Sequence, residues 1–175
     1  MVDFLRRLIQ FFDQYNIPYM LSGSVAMSVY TIPRNTKDFD FVVHLKKGDA
    51  AVLAEHFKEG YYCNKDTVDE AIQNKGMFNI IDYQSGYKAD FIVLKNEPYL
   101  QEEFQRRKQI DFMNMNVYLV SAEDLLLSKI IWIQELQSDL QKADIKTLSN
   151  TTGLDWPYIR RWISLLKLNT FDLIK

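Results

Sequence analysis

Three aspartates lie inside two apolar segments, where a carboxylate is costly to bury unless a positive charge lies against it. Asp38 and Asp40 alternate with Phe39 and Phe41 in DFDFVV, and Asp90 lies in YKADFIVL. Residues two apart on a strand point to the same face, and neighbouring strands would bring all three carboxylates together. Two Mg²⁺ ions, with Mn²⁺ as an alternative, would balance this charge, activate an attacking oxygen and stabilise a leaving phosphate.

A Gly-Ser pair stands upstream of these acids, between a short apolar strand and a predicted helix. Gly23 would let a phosphate approach the backbone, and a helix N-terminus offers free N–H donors and the positive end of the helix dipole. The Ser24 hydroxyl adds one more donor. Taken alone, the pair is more simply a helix N-cap. Its place before the acids favours a phosphate-binding role.

Apolar periodicity predicts the elements that position these residues. The predicted strands span 19–21, 38–43, 77–83, 87–94 and 117–120. The predicted helices span 4–12, 25–30, 48–59, 66–74, 97–107, 122–136, 139–148 and 156–166, with a short one near Phe171. The fold class is therefore α/β, or α+β: a mixed sheet flanked by helices over residues 1–120, with a C-terminal helical bundle over 121–175 packed on it.

The order of these motifs resembles the nucleotidyltransferase superfamily related to DNA polymerase β. More narrowly, the pattern Arg34-x-Thr36-x-Asp38-x-Asp40 is similar to small bacterial nucleotidyltransferases that include the AbiEii-type toxins of abortive-infection and toxin–antitoxin systems. The segments SAEDLLLSKIIW, SDLQKADIKTL and LDWPYIRRWISLL resemble the helical tail of uncharacterised members of that group. The resemblance covers most of the chain.

The resemblance implies a nucleotidyltransferase-like fold and transfer of a nucleoside monophosphate from an NTP to an acceptor hydroxyl, with release of pyrophosphate. Asp38 and Asp40 would hold the nucleotide-bound metal, and Asp90 would complete a second metal site and help to activate the acceptor. Lys129, in the first helix of the tail, would reach the triphosphate. The implied nucleotide-binding residues are Gly23, Ser24, Arg34, Thr36 and Lys129. The acceptor stays open between a tRNA end, a protein hydroxyl and a small molecule.

The same residues allow simpler interpretations. Asp38 and Asp40 could lie on the solvated face of an edge strand, and Asp90 could be a surface acid paired with Lys88. Lys129 could be a surface lysine whose stem lies along its Leu and Ile neighbours.

Two other classes of function compete with an enzyme. One is a catalytically silent module that binds nucleotide, and the other is a toxin-like interaction subunit held by an antitoxin. Intact acids at all three positions count against a vestigial site. Asp144, in the tail, is interpreted as a helix-surface acid.

Composition limits the partners and the cellular location expected for this protein. The 175 residues carry a net charge of −2, which predicts no strong global attraction to nucleic acid or anionic lipid. The single cysteine, Cys63, allows no internal disulfide and favours a reduced, cytoplasmic location. No segment approaches the roughly 20 apolar residues of a membrane span, so no membrane partner is expected.

Overall fold

The computed structural model describes residues 1–33 and 36–174, which contain one mixed sheet of seven strands. The strands are β1 (Tyr19–Ser22), β2 (Asp38–Val43), β3 (Tyr61–Tyr62), β4 (Met77–Asp82), β5 (Lys88–Val93), β6 (Lys108–Phe112) and β7 (Met115–Leu119). Their order across the sheet is β3-β4-β5-β2-β1-β7-β6. The pairs β2–β5 and β1–β7 are parallel, whereas the other pairs are antiparallel. The predicted fold class, a mixed sheet flanked by helices, is confirmed.

Within the described residues, eight helices accompany the sheet. They are α1 (Val2–Gln14), α2 (Gly23–Tyr30), α3 (Asp49–His56), α4 (Lys65–Asn74), α5 (Pro98–Gln105), α6 (Ala122–Trp132), α7 (Asp139–Ser149) and α8 (Trp156–Leu165). The last three begin at Ser121, Ser138 and Asp155, whose side chains each accept a hydrogen bond from a backbone N–H three residues later. No helix in the described part of the chain is both long enough and apolar enough to cross a membrane.

Aromatic side chains form the core between α1 and one face of the sheet. The rings of Phe4 and Phe39 lie 6.0 Å apart, and those of Phe12 and Phe41 lie 5.3 Å apart. Phe41 in turn stacks on Phe91 of the neighbouring strand at 5.6 Å. All five side chains are almost completely buried. Because successive strand residues alternate between faces, Asp38, Asp40 and Asp90 must point to the opposite face.

A buried carboxylate attaches the C-terminal helices to the rest of the chain. Asp124, at the start of α6, is fully buried. Its Oδ2 atom accepts hydrogen bonds from Nε of Arg106 at 3.1 Å and from the Ser121 hydroxyl at 2.6 Å. Its Oδ1 atom accepts one from the Tyr158 hydroxyl of α8 at 2.6 Å. These three hydrogen bonds satisfy both oxygens of the buried carboxylate.

Three features of the fold differ from the sequence prediction. Strands β3 and β6 were absent from it, since β3 has only two residues and β6 is a mostly polar edge strand. Helix α6 ends at Trp132, four residues earlier than predicted. The helix predicted near Phe171 is wrong, because Phe171 and Asp172 have φ values of 50° and 54°, outside the right-handed helical region.

Candidate active site

Four charged residues occupy adjacent positions on the sheet face that points away from α1. In the parallel pairing of β2 with β5, Asp38 lies beside Lys88, and Asp40 lies beside Asp90. Within each strand the two residues are two positions apart and therefore share a face. The strands that carry the three aspartates are thus neighbours, as the sequence interpretation required. We call Asp38, Asp40 and Asp90 the acid cluster.

The ammonium group of Lys88 lies within the acid cluster. Its Nζ atom is 2.7 Å from Oδ2 of Asp90 and 3.9 Å from Oδ1 of Asp38. The Lys88–Asp90 pair considered as an alternative from the sequence is therefore present. The edge-strand alternative for Asp38 and Asp40 is wrong, because β2 lies between β5 and β1.

The carboxylate of Asp40 lies directly against the start of α2. A β-carbon on Gly23 would overlap with Oδ2 and Cβ of Asp40, and Gly23 has a φ of +62°, in the left-handed region that favours glycine. The backbone N–H of Ser24 donates a hydrogen bond to the Asp40 carboxylate. The N-cap position belongs to Ser22, so Gly23 and Ser24 are the first two residues of the helix. The Gly23-Ser24 pair therefore adjoins Asp40 of the acid cluster.

The pKa of Asp40 reflects the burial of its carboxylate and the charges around it. Burial raises the pKa of Asp40 above its ordinary value of 3.8, and the negative charges of Asp90 and Asp38 raise it further. The Ser24 N–H and the positive charge of Lys129 act in the opposite direction. Because the pKa is raised overall, the surroundings of Asp40 do not fully compensate its negative charge.

Lys129 of α6 is paired with an acid of α7. Its Nζ atom lies 2.8 Å from Oδ2 of Asp144. The side chains of Lys129 and Asp144 are only 13% and 6% exposed. The interpretation of Lys129 as a surface lysine is therefore wrong, and so is that of Asp144 as a helix-surface acid. The positive charge of Lys129 acts to lower the pKa of Asp40.

The loop before β2 supports the acid cluster through the backbone. The Thr36 hydroxyl accepts a hydrogen bond from the Asp38 N–H at 3.2 Å and lies 3.3 Å from the Asp38 carbonyl oxygen. In the structure, Thr36 thus orients the first residue of β2. The predicted Arg34 lies outside the described residues.

A cavity of about 790 Å³ opens beside this loop, bordered by Thr36, Phe39 and residues of α1 and α2. Because Phe39 points to the face opposite Asp38 and Asp40, the acid cluster lies on the other side of β2 from the cavity.

The donor chemistry of the acid cluster fits a divalent cation. Carboxylate oxygens are the ligands that Mg²⁺ and Mn²⁺ prefer, and the acids outnumber the ammonium group of Lys88. Over residues 1–33 and 36–174, however, no three His, Cys, Asp or Glu side chains are arranged to hold a metal ion. The ammonium group of Lys88 contacts one of the three carboxylates, that of Asp90.

Two residues of this site were not among the predicted site residues. Lys88 is two positions from Asp90 on one strand, so the shared face could have been predicted from spacing alone. Asp144 is 15 residues from Lys129 and contacts it only because α6 and α7 pack together. No local pattern indicates that contact.

Comparison with known proteins rests on structure alone. No family model matches the chain, and no curated protein matches it either. The crystal structure of ANT(2'')-Ia in complex with adenylyl-2''-tobramycin superposes with a TM-score of 0.56 at 14% identity, covering 95% of this chain and 96% of that one. The lincosamide antibiotic adenylyltransferase LnuA, bound to lincomycin, matches with a TM-score of 0.50 at 13% identity, covering 85% of this chain and 96% of LnuA.

A third similar structure is an antigenic nucleotidyltransferase-like protein from Paracoccidioides brasiliensis. It matches with a TM-score of 0.51 at 17% identity, covering 91% of this chain and 83% of that one. At these identities the likeness concerns the fold, and the narrower AbiEii-type resemblance stays a prediction. The chain has the mixed α/β fold of nucleotidyltransferases, and on it the start of α2 adjoins Asp40 of the acid cluster.

Proposed function

We propose that this protein transfers a nucleoside monophosphate from an NTP to an acceptor hydroxyl and releases pyrophosphate. The observation that carries the proposal is the placement of Asp40 beside Asp90 on parallel strands, with the Asp40 carboxylate against Gly23 and Ser24. Metal-binding carboxylates and a phosphate-binding helix start must adjoin if one site is to hold a metal–triphosphate complex. The nucleotidyltransferase fold supports the same function.

Each residue has a role in this proposal. Asp38, Asp40 and Asp90 would hold Mg²⁺ or Mn²⁺, which would neutralise phosphate charge when bound. The glycine at position 23 leaves room for the Asp40 carboxylate beside the helix start that would bind phosphate, and Lys129 provides a positive charge that acts on Asp40.

The reaction itself exchanges one phosphorus–oxygen bond for another. The acceptor oxygen bonds to the α-phosphorus, the bond to the bridging oxygen breaks, and pyrophosphate leaves with that electron pair. Asp90 would take the proton of the attacking hydroxyl, since its carboxylate is partly exposed to solvent. Arg34 and Thr36 remain proposed nucleotide-binding residues on the strength of the sequence resemblance.

The acceptor tested first should be a small molecule with hydroxyl groups, and the donor tested first should be ATP. This choice follows from the similar structures, one in complex with adenylyl-2''-tobramycin and another an adenylyltransferase with bound lincomycin. A tRNA end and a protein hydroxyl are the other two acceptor classes. An AbiEii-type toxin controlled by an antitoxin would use the same nucleotidyl-transfer reaction in a different biological setting.

A specific observation also favours a second candidate function, a catalytically silent nucleotide-binding module. The Lys88 ammonium group already neutralises Asp90, a carboxylate that the reaction needs. Such a module would bind an NTP and release no pyrophosphate. The two candidate functions therefore differ in whether pyrophosphate is released, which can be measured.

The first test is calorimetry of each of the four NTPs with Mg²⁺, on the wild type and on the double variant Asp38→Asn, Asp40→Asn. We expect Mg²⁺-dependent binding of one NTP in the wild type and none in the double variant. Asp111→Asn, an exposed aspartate on the edge strand β6, serves as the control and should bind like the wild type. Absence of binding to every NTP by folded wild-type protein would overturn the proposal.

Pyrophosphate release then separates the two candidates. With the preferred NTP labelled at the α-phosphate, a nucleotidyltransferase transfers label to one of the acceptor classes and releases pyrophosphate. Tight binding without label transfer to any of the three classes would favour the silent module.

A further inference from the structure

We infer that the Lys88 ammonium group is a built-in counter-ion of the acid cluster, which competes with a divalent cation and is displaced from Asp90 by charge repulsion when the cation binds. The inference rests on the proposed function, since it concerns the metal that the proposed reaction uses. It goes beyond that function in giving Lys88 the role of setting the affinity for the cation.

The position of Lys88 results from strand register. Parallel pairing places Lys88 directly beside Asp38, and the two-residue spacing places it on the same face as Asp90. Its Nζ atom lies 2.7 Å from Oδ2 of Asp90 and 3.9 Å from Oδ1 of Asp38. One ammonium group therefore contacts acids on both strands.

The ammonium group and a metal would compete for the same carboxylate. The ammonium group takes one lone pair of Oδ2 of Asp90 at 2.7 Å, which leaves fewer of the carboxylate's lone pairs for Mg²⁺. A divalent cation bound to Asp90 would also lie close to the ammonium group and repel it. Binding of the cation therefore weakens the Lys88–Asp90 contact and favours movement of Lys88 away from Asp90.

The surroundings give Lys88 somewhere to move. Its side chain is 35% exposed, so the ammonium group can turn into solvent on a flexible stem when a cation arrives. Asp40 is held differently, because its carboxylate is buried against Gly23 and accepts the Ser24 N–H. Asp40 is thus held in place by backbone contacts, whereas Asp90 can exchange its ammonium partner for a divalent cation.

The test measures Mn²⁺ binding in the absence of nucleotide, from the electron paramagnetic resonance signal of free Mn²⁺. Lys88→Met keeps the apolar stem and removes the charge. We expect it to bind Mn²⁺ more tightly than the wild type, on the order of tenfold, because one competing positive charge has gone. Lys65→Met is the matched control, since Lys65 also lies 2.7 Å from a carboxylate, that of Asp69, but away from the acid cluster. Its Mn²⁺ affinity should equal that of the wild type.

Thermal unfolding provides a second measurement on the same proteins. Without metal, Lys88→Met should unfold at a lower temperature than the wild type, because three carboxylates then repel one another without an ammonium group. Mn²⁺ should raise its unfolding temperature by more than it raises that of the wild type.

A measurement on the unaltered chain covers the case in which Lys88→Met does not fold. The Nζ resonance of Lys88, assigned by its absence from Lys88→Arg, should shift when Mg²⁺ is titrated into wild-type protein. Unchanged Lys88 resonances at saturating Mg²⁺, or equal or weaker Mn²⁺ affinity in Lys88→Met, would overturn the inference while leaving the proposed function standing. Failure of wild-type protein and Lys88→Met to bind Mn²⁺, with and without NTP, would overturn both.

Discussion

Nζ of Lys129 lies 2.8 Å from Oδ2 of Asp144, and this ion pair joins α6 to α7 with both side chains almost buried. Removal of one partner leaves the other charge buried and uncompensated. The pair also sets where the Lys129 charge stands relative to Asp40, whose pKa it lowers. It is therefore both a structural contact and a positioning contact for the candidate site.

A double-mutant cycle tests this pair. Lys129→Met and Asp144→Leu should each lower the free energy of unfolding by about 3 kcal/mol, whereas the double variant should lose clearly less than the sum. Urea denaturation of the four proteins measures all terms. Additive losses would contradict a direct buried pair.

Gly23→Ala should damage the site and the fold together. The new β-carbon would meet the Asp40 carboxylate, and the φ of +62° would be strained in any residue with a side chain. We expect a loss of about 2–4 kcal/mol in the free energy of unfolding, and loss of Mg²⁺–NTP binding.

The matched control for this variant is Gly86→Ala. Gly86 has a similar φ of +69°, but a β-carbon at this residue would have nothing within 4 Å of it. The control variant should lose only about 1 kcal/mol and keep nucleotide binding. Equal losses in the two variants would show that backbone strain alone, without the Asp40 overlap, determines the effect.

Asp40→Asn should stabilise the protein while abolishing Mg²⁺-dependent nucleotide binding. The folded-state pKa of Asp40 is raised above 3.8, so its ionised form at neutral pH disfavours folding. Asparagine removes the charge and can still accept the Ser24 N–H. The unfolding temperature at pH 7 should therefore rise, and the gain should fade as the pH approaches 3.8, where wild-type Asp40 becomes protonated. A lower unfolding temperature at pH 7 would contradict this.

Glu103, outside the acid cluster, should make stability depend on pH. This side chain is 3% exposed, accepts the Ser128 hydroxyl at 2.6 Å, and has its pKa raised from 4.5 to about 8, chiefly by burial. Between pH 4.5 and about 8 the folded state holds this proton and the unfolded state does not. The free energy of unfolding should therefore fall by up to about 1.4 kcal/mol per pH unit as the pH rises through this range.

Glu103→Gln isolates this contribution, because glutamine keeps an oxygen that can accept the Ser128 hydroxyl. Urea denaturation between about pH 5 and 9 should give a flatter pH dependence for this variant than for the wild type. Parallel curves for the two proteins would show that Glu103 is ionised in the folded state.

Several parts of the fold follow from local pattern. The alternation of Asp38 and Asp40 with Phe39 and Phe41 places acids on one face and core rings on the other, wherever the strand lies in the sheet. Ser121 before an apolar helix predicts the N-cap found there. Strand β3 was not predictable in this way, because two residues carry no periodicity.

The sequence by itself determined which residues could do chemistry, because residue type and two-residue spacing place the acids on one face of their strands. Only the tertiary structure decided which groups compensate the charges of these residues. The pairing of β2 with β5 brings Lys88 beside Asp38, and the packing of α6 on α7 gives Lys129 its partner Asp144. The tertiary structure also places the start of α2 against Asp40. These contacts join residues distant in the chain, and their formation depends on strand register and helix packing, which no local pattern encodes.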